Sequence, residues 1–185
     1  MLELMVTIAI IGILSALSIP GFLTLQARAK QAEVKTNLRA LYTLEKAFLQ
    51  ENSRYSSLVT EVGFAPERGN RYAYFLGGTN LNGDDRNGTA TFASSTATGI
   101  SVDLFKFGTV QAITVFDFTT CTTPAVTAPP GATFVAAAEG NIDDDLTLDV
   151  WSISSVGRSM TACISGSGAN VPAGTPANDR DDSRL

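Results

Sequence analysis

The stretch LELMVTIAIIGILSALSIPGFLTL, residues 2–25, decides how the rest of this chain can fold. No charged residue lies between Glu3 and Arg28, which leaves 24 consecutive uncharged positions. A helix needs about 20 mostly apolar residues to cross the hydrocarbon core of a bilayer. Apolar residues would cover every side of such a helix, so it would have no face suited to water. The stretch therefore predicts a helix that spans a membrane or lies buried among copies of itself.

Three residues make this stretch unusual for a simple membrane anchor. Glu3 sits at its outer end, where a carboxylate near hydrocarbon is costly and needs a partner such as an α-amino group of this or a neighbouring chain. Gly12 and Pro20 interrupt the apolar run, and inside a helix they cost about 1 and about 3 kcal/mol. We therefore expect the helix to loosen locally between Gly12 and Pro20.

Two simpler interpretations of the segment are open. A cleaved signal peptide would need a basic region before the apolar run and a small-residue cleavage site after it, and neither pattern is present. An ordinary single-span anchor needs only the apolar run, and it gives Glu3 no role.

The run from Leu2 to Leu14, followed by Ile19 and Pro20, resembles the N-terminus of type IV pilins. In that family an acidic residue opens an apolar helix that carries Gly and Pro at these spacings. The resemblance implies that Glu3, Gly12 and Pro20 serve in assembly. In the family the acidic residue follows four residues of the mature chain, the first usually an N-methylated Phe, whereas only two residues precede Glu3 here. We therefore expect about two mature residues before Met1.

Residues 26–52 continue the helix as an amphipathic half. They contain no Gly or Pro, and charges of both signs are spread along them. Apolar residues recur at helical spacing, namely Val34, Leu38, Leu41 and Phe48, with Leu44 beside them. This stripe predicts packing against the core of a following domain. The two halves together predict a helix of about 50 residues and about 75 Å, so that the apolar half projects and is covered by other copies.

The remainder, residues 53–185, predicts a globular head with an antiparallel sheet. Strand-like patterns occur at 71–76, 100–104, 110–118, 133–139 and 149–154. Polar loops at 77–98 and 119–131 are candidates for O-linked glycans or plain surface loops. The tail from Ser165 lacks apolar periodicity and is expected to be irregular. The chain is thus divided into a filament-core or membrane-spanning helix at 1–25, an amphipathic half at 26–52 and a head at 53–185, an α+β fold.

The order of motifs after the helix resembles myxobacterial and other deltaproteobacterial major pilins. Arg-Tyr-Ser begins at residue 54, Gly-Phe-x-Pro-Glu at residue 63 and Gly-Asn-Arg-Tyr-x-Tyr at residue 69. Charged residues of this region and of the helix are candidates for salt bridges between subunits. These are Arg28, Lys30, Arg54, Glu67, Arg68 and Arg71. The alternative is a solvated charged surface, in which single pairs contribute less than about 1 kcal/mol.

The composition excludes chemistry that depends on His, and it predicts one disulfide bond. The chain has a net charge of −5 and no His, which removes His-based catalysis, His metal ligation and attachment of haem. Nucleic acid is not an obvious bulk partner of an acidic chain. The two cysteines, Cys121 and Cys163, fit a single disulfide in an exported head, with two buried free thiols as the alternative.

An acidic turn at residues 141–149 is the only constellation that resembles a ligand site. Asn141, Asp143, Asp145, Thr147 and Asp149 fall at alternate positions, as the oxygen ligands of an EF-hand loop do, and Asn141, Asp143, Asp145 and Asp149 are the candidate ligands. Leu146 stands where an EF-hand has Gly, and Ser152 stands where it has the bidentate Glu. A calcium site and a solvated acidic turn are both open, and no other cofactor is predicted.

The resemblance implies a structural subunit that polymerises through its N-terminal helix into an extracellular type IV pilus. The subunit would wait in the inner membrane before assembly, with prepilin peptidase, an assembly ATPase and platform proteins as partners. Motility, adhesion to surfaces or polysaccharide and DNA uptake are expected of such fibres. The alternatives are a pseudopilin of a type II secretion system, a minor pilin, and a membrane-anchored surface-binding module. No nucleophile elbow or phosphate loop suggests an enzyme.

Overall fold

The computed structural model describes residues 2–77, 83–84, 95–107, 123–143, 145, 147–159 and 170–182. For Leu17, Ile19, Pro20, Leu23, Gly83 and Asp84 it describes the backbone alone. The predicted strand at 110–118 and both cysteines of the predicted disulfide lie outside the described residues, as do most of the candidate glycan loop at 77–98 and residues 119–122 of the second loop.

The first element is a single long helix, α1, from Leu2 to Asn52, with 51 residues. At 1.5 Å per residue it is about 75 Å long. It ends where Ser53 adopts a left-handed φ of 56° and the Ser53 N–H donates to the Leu49 carbonyl at 2.8 Å. The backbone is helical through Gly12 and Pro20 in the single chain. The predicted loosening concerns the assembled fibre and stays a prediction.

The two halves of α1 have different surroundings. From Ala27 onward one stripe of the helix is buried, with Val34, Leu38 and Leu41 fully covered. Before Ala27 every residue whose side chain is described is exposed. Judged by length and hydropathy together, no helix within the described residues qualifies as a membrane crossing.

The head, residues 53–182 as far as they are described, is built on one mixed sheet. Its strands are β1 Tyr72–Phe75, β2 Gly83–Asp84, β3 Gly99–Ile100, β4 Ala125–Val126, β5 Phe134–Gly140, β6 Asp149–Ser154 and β9 Ala177–Arg180. They lie in the order β2-β3-β1-β5-β6-β9, with β4 also paired to β5. β2 and β3 are parallel, and the other pairs are antiparallel. Two short helices, α2 Val59–Val62 and α3 Leu104–Phe107, and the pair β7 Arg158–Ser159 with β8 Asn170–Val171 complete the described elements.

The sheet buries both faces, and α1 covers one of them. Side chains alternate along a strand, so one set of residues from β1, β5 and β6 packs with Val34, Leu38 and Leu41 of the helix. That set is Tyr72, Tyr74, Phe134, Ala136, Ala138, Trp151 and Ile153. The opposite set contains Ala73, Phe75, Ala137 and Val150 and packs around Val102. The predicted α+β architecture of a long helix on a sheet is therefore confirmed, and all strand pairs of that sheet except β2 with β3 are antiparallel.

The sequence prediction was wrong for the strand at 100–104. The strand ends at Ile100, and Leu104 begins α3. The cause is the Asp103 carboxylate, which accepts the Phe105 N–H at 3.1 Å and the Gly69 N–H at 2.7 Å. A carboxylate that binds a backbone N–H two residues ahead stabilises a turn in place of an extended strand.

The prediction was also wrong for the tail, which contains strand β9 along the edge of β6. The side chains of β9 that point inward are Ala177 and Asp179, which are 8% and 2% exposed. Asp179 Oδ1 accepts a hydrogen bond from Ser152 Oγ at 2.8 Å. Polar residues form this strand because their partners lie on β6, so the segment shows no apolar alternation.

We predict that a buried carboxyl between α1 and the head makes stability depend on pH. Glu45 is 0% exposed. Burial raises the pKa of its carboxyl from 4.5 to about 7, against the opposing effects of the Ser56 N–H and the Arg54 charge. The folded state therefore favours the protonated form, and its stability falls as the pH rises from 4.5 to about 7. The loss is about 1.4 kcal/mol per pH unit and about 3 kcal/mol in all.

Thermal unfolding of the full chain in detergent micelles at several pH values checks this prediction. Glu45→Gln should remove most of the decline and exceed the original chain in stability above neutral pH. Glu51→Gln, an exposed position on the same helix, is the matched control and should keep the decline. An unchanged pH profile in Glu45→Gln would contradict the assignment.

Candidate functional site

The apolar half of α1, residues 2–25, is the largest exposed apolar surface in the described part of the chain. Eleven large apolar side chains there are at least half exposed: Leu2, Leu4, Met5, Val6, Ile8, Ile10, Ile11, Ile13, Leu14, Phe22 and Leu25. They occupy successive turns from Leu2 to Leu14 and again from Phe22 to Leu25, and they point in all directions around the helix. Soluble monomers rarely expose so much contiguous apolar area, and such surfaces mark contacts with proteins or membranes.

The predicted assembly residues lie along this surface. Glu3 is in the first turn of α1, where the positive end of the helix dipole favours a carboxylate. A Cβ added at Gly12 would have no atom within 4 Å, so the residue faces open space in the single chain. Pro20 lies within the continuous helix. Their assembly roles stay predictions, because a single chain offers no neighbour to test them.

Partners inside the chain contact Lys30, Arg54, Arg68 and Arg71, which are predicted to form salt bridges between subunits. Arg54 pairs with Glu61 at 3.0 Å, and Arg68 pairs with Asp103 at 3.4 Å. The Arg71 guanidinium donates to the Asn141 carbonyl at 3.4 Å and lies 4.5 Å from the centre of the Phe107 ring. Lys30 donates to the Ile142 carbonyl.

The other two candidates lie on the surface. Arg28 is exposed on α1. Glu67 is exposed and, with Arg68, lines a groove of about 600 Å³ between α1 and the loop before β1. Bridges between subunits stay a prediction for all six residues.

The acidic turn between β5 and β6 does not use its carboxylates in the way an EF-hand loop would. Asp149 is buried, and its Oδ2 accepts hydrogen bonds from Tyr72 Oη at 2.6 Å and Trp151 Nε1 at 2.5 Å. Its Oδ1 accepts from Asn178 Nδ2 at 3.0 Å and Gln31 Nε2 at 3.3 Å. Asp149 thus connects α1, β1, β6 and β9.

Electrostatics distinguish Asp149 from an ordinary surface carboxylate. Burial raises the pKa of the Asp149 carboxyl, while the hydrogen bonds from Tyr72 and Trp151 oppose the shift. Burial and the nearby Asp149 carboxylate together raise the pKa of the Tyr72 hydroxyl. Within the described residues, the buried Asp149 carboxyl therefore has an organising role, because its hydrogen bonds hold α1 and three strands of the sheet together.

The structure brings Asp143 and Asp145 together with a residue of the tail. One carboxylate oxygen each from Asp143, Asp145 and Asp182 lies within 4.8 Å of the others. Thr147 Oγ1 lies within hydrogen-bond distance of Asp145 Oδ1, at 2.8 Å, and of Asp182 Oδ1, so its single proton is shared between the two carboxylates. The amide of Asn141 donates to the Asp145 carbonyl at 2.8 Å and so supports the turn.

Sequence analysis missed Asp182, because the residue is 37 positions after Asp145 in a tail without apolar pattern. The acidic run that ends at Asp182 was visible in the sequence, but nothing there placed it beside the turn. Burial raises the pKa of the Asp182 carboxyl, and the carboxylates of Asp143, Asp145 and Asp149 raise it further.

Comparisons with known proteins agree with this architecture. The model of the family described as "Type IV pilin PilA" matches residues 25–149. The protein named "Type IV major pilin protein PilA" of Myxococcus xanthus (strain DK1622) is 40% identical over 200 aligned positions, which cover 98% of this chain and 90% of that protein.

Proposed function

The chain belongs to the type IV pilin PilA family and is a structural subunit of a pilus, and we propose that it polymerises through the apolar half of α1. The observation that carries the proposal is the contrast between the two halves of one helix. Residues after Ala27 bury their stripe against the head, whereas the described side chains before Ala27 are exposed. The second half of α1 completes the core of the head, so the apolar half is available for contacts with other copies.

The energetics of apolar surface support this proposal. Removing one large apolar side chain from water contributes about 1.5–3 kcal/mol. Burial of the eleven exposed side chains of residues 2–25 would therefore contribute roughly 20 kcal/mol in total. This stabilisation is absent while the side chains remain in water. Repeated contacts between one surface and a different surface of the next copy generate a filament when the rotation does not close.

We further propose that the subunit resides in the inner membrane before assembly. Lipid would cover the apolar half there, and transfer into the filament would keep it covered throughout. Prepilin peptidase, an assembly ATPase and platform proteins would process and move the subunit. The filament would be extracellular, and motility, adhesion and DNA uptake follow from the general roles of pilins.

Helical reconstruction by electron microscopy of filaments sheared from producing cells tests the proposal. We expect filaments with residues 2–25 packed at the axis and the heads outside. The map would also show whether the backbone between Gly12 and Pro20 is unwound. A chain that stays in the membrane fraction without filaments would contradict polymerisation and favour a pseudopilin, a minor pilin or an anchored binding module.

A further inference from the structure

Three acidic side chains from two distant parts of the chain converge at the edge of the head. Asp143 and Asp145 belong to the turn between β5 and β6, and Asp182 follows β9. One oxygen of each lies within 4.8 Å of the others. Three carboxylates at this separation repel one another unless a cation or protons neutralise them.

The Asp182 side chain supplies a second and independent observation. It is 7% exposed, so more than nine-tenths of the residue is removed from solvent. Its Oδ1 accepts from Thr147, but its Oδ2 is buried and has no hydrogen-bond partner among the described residues. A buried carboxylate oxygen without a partner is costly, and a bound cation is one arrangement that satisfies it.

We propose that Asp143, Asp145 and Asp182 bind a calcium ion that fastens the C-terminal segment to the turn between β5 and β6. Calcium takes six to eight oxygen ligands at about 2.3–2.6 Å, so oxygens on opposite sides of the ion are separated by up to about 5 Å. The separation within 4.8 Å fits this limit. Magnesium demands a tighter octahedron and usually keeps several waters, so it suits this site less well.

This ligand set differs from the one that the sequence pattern predicts. Asp149 uses both oxygens for hydrogen bonds within the sheet, and the Asn141 amide supports the turn. Asp182 takes the place of these two residues. Asp145 is exposed and Asp143 is partly exposed, so water would complete the coordination. Sites of this open kind on extracellular modules bind calcium with Kd of about 10⁻⁴–10⁻³ M.

Calcium titration of the full chain in detergent micelles, after treatment with chelator, tests the proposal. Calorimetry should give one calcium ion per chain, and calcium should raise the midpoint of thermal unfolding. Terbium is a useful second probe, because Trp151 and the Asp182 N–H both donate to Asp149 and the single Trp can sensitise a nearby lanthanide. Excitation of Trp151 should therefore produce terbium luminescence. Added calcium should abolish this luminescence by displacing terbium from the site.

Substitution of the proposed ligands tests which side chains bind the calcium ion. Asp143→Asn and Asp182→Asn should each weaken calcium binding at least tenfold. Asp181→Asn is the matched control, because it removes the same charge from the neighbouring tail position, where Asp181 accepts from Gln31 at 3.0 Å, and it should stay within twofold. Asp143 is partly exposed, so its variant tests the site even if Asp182→Asn fails to fold.

Three outcomes would overturn the proposal. The first is the absence of both a calcium-dependent heat signal and terbium luminescence in the original chain. The second is unchanged affinity in both Asp143→Asn and Asp182→Asn. The third is an equal rise of the unfolding midpoint with magnesium, which would overturn the assignment to calcium. None of these measurements requires a filament, so they are independent of the proposed polymerisation.

Discussion

Replacement of Glu3 by Gln is expected to abolish filament assembly while the subunit remains folded and in the membrane fraction. Glu3 lies in the first turn of α1 at the end of the exposed apolar half. When copies of this half pack together, water is excluded and a carboxylate needs a cationic partner. The α-amino group of an adjacent subunit is the partner that we propose.

The size of the effect follows from what the substitution leaves behind. Gln keeps the shape of the side chain but removes its charge, so the partner's ammonium group is buried alone. Leaving one member of a buried ion pair unmatched costs about 3–5 kcal/mol. That cost recurs at every subunit contact along the fibre, and each contact would weaken by at least about a hundredfold.

Electron microscopy of sheared material and immunoblots of the sheared and membrane fractions measure this effect. Glu51→Gln removes a charge from an exposed position at the other end of the same helix and should assemble normally. Abundant filaments of the Glu3→Gln chain would show that the carboxylate is dispensable and would favour a simple membrane anchor for residues 2–25.

Replacement of Asp149 by Ala should lower the free energy of unfolding by about 4 kcal/mol, the largest loss that we expect from one substitution in the head. Four side chains and the Asp182 N–H donate to this carboxylate. Removing it leaves buried donors on α1, β1, β6 and β9 without their acceptor. The packing of the helix and of the tail strand on the sheet should weaken together.

Denaturant unfolding of the full chain in micelles, followed by circular dichroism and carried out in chelator, measures the loss. Asp149→Asn keeps the size of the side chain and one acceptor oxygen, so its loss should lie between zero and that of Asp149→Ala. Asp143→Ala, at a partly exposed position of the same turn, is the control and should change stability by less than about 0.5 kcal/mol. If Asp149→Ala changed the stability as little as this control does, the organising role of Asp149 would be excluded.

The architecture could be predicted from the sequence wherever a local pattern of apolar residues determines the secondary structure. The absence of Gly and Pro from 26–52 and the spacing of Val34, Leu38 and Leu41 predict a helix with one buried stripe, and all three residues are fully buried. The alternating segments near 72, 134 and 149 became central strands. These signals are readable because burial of apolar side chains imposes a period of about 3.6 or 2 on the sequence itself.

The tail and the acidic cluster could not be predicted in this way. Strand β9 turns Asp179 inward, where Ser152 of the neighbouring strand β6 donates a hydrogen bond to its buried side chain. Sequence spacing alone placed Asp149 among the metal ligands, whereas the structure commits it to Tyr72 and Trp151. A polar residue is stable inside a protein only when distant residues supply its partners.

By itself the sequence determined the long helix, its division into an apolar and an amphipathic half, and the α+β class. Those properties depend on apolar periodicity and on the positions of helix breakers, which are local. Only the tertiary structure decided that the tail joins the sheet, that Asp149 connects four elements and that Asp182 meets Asp143 and Asp145. The contacts of the tail join residues at least 25 positions apart, and their stability comes from hydrogen bonds and charges that arise only after the chain has folded.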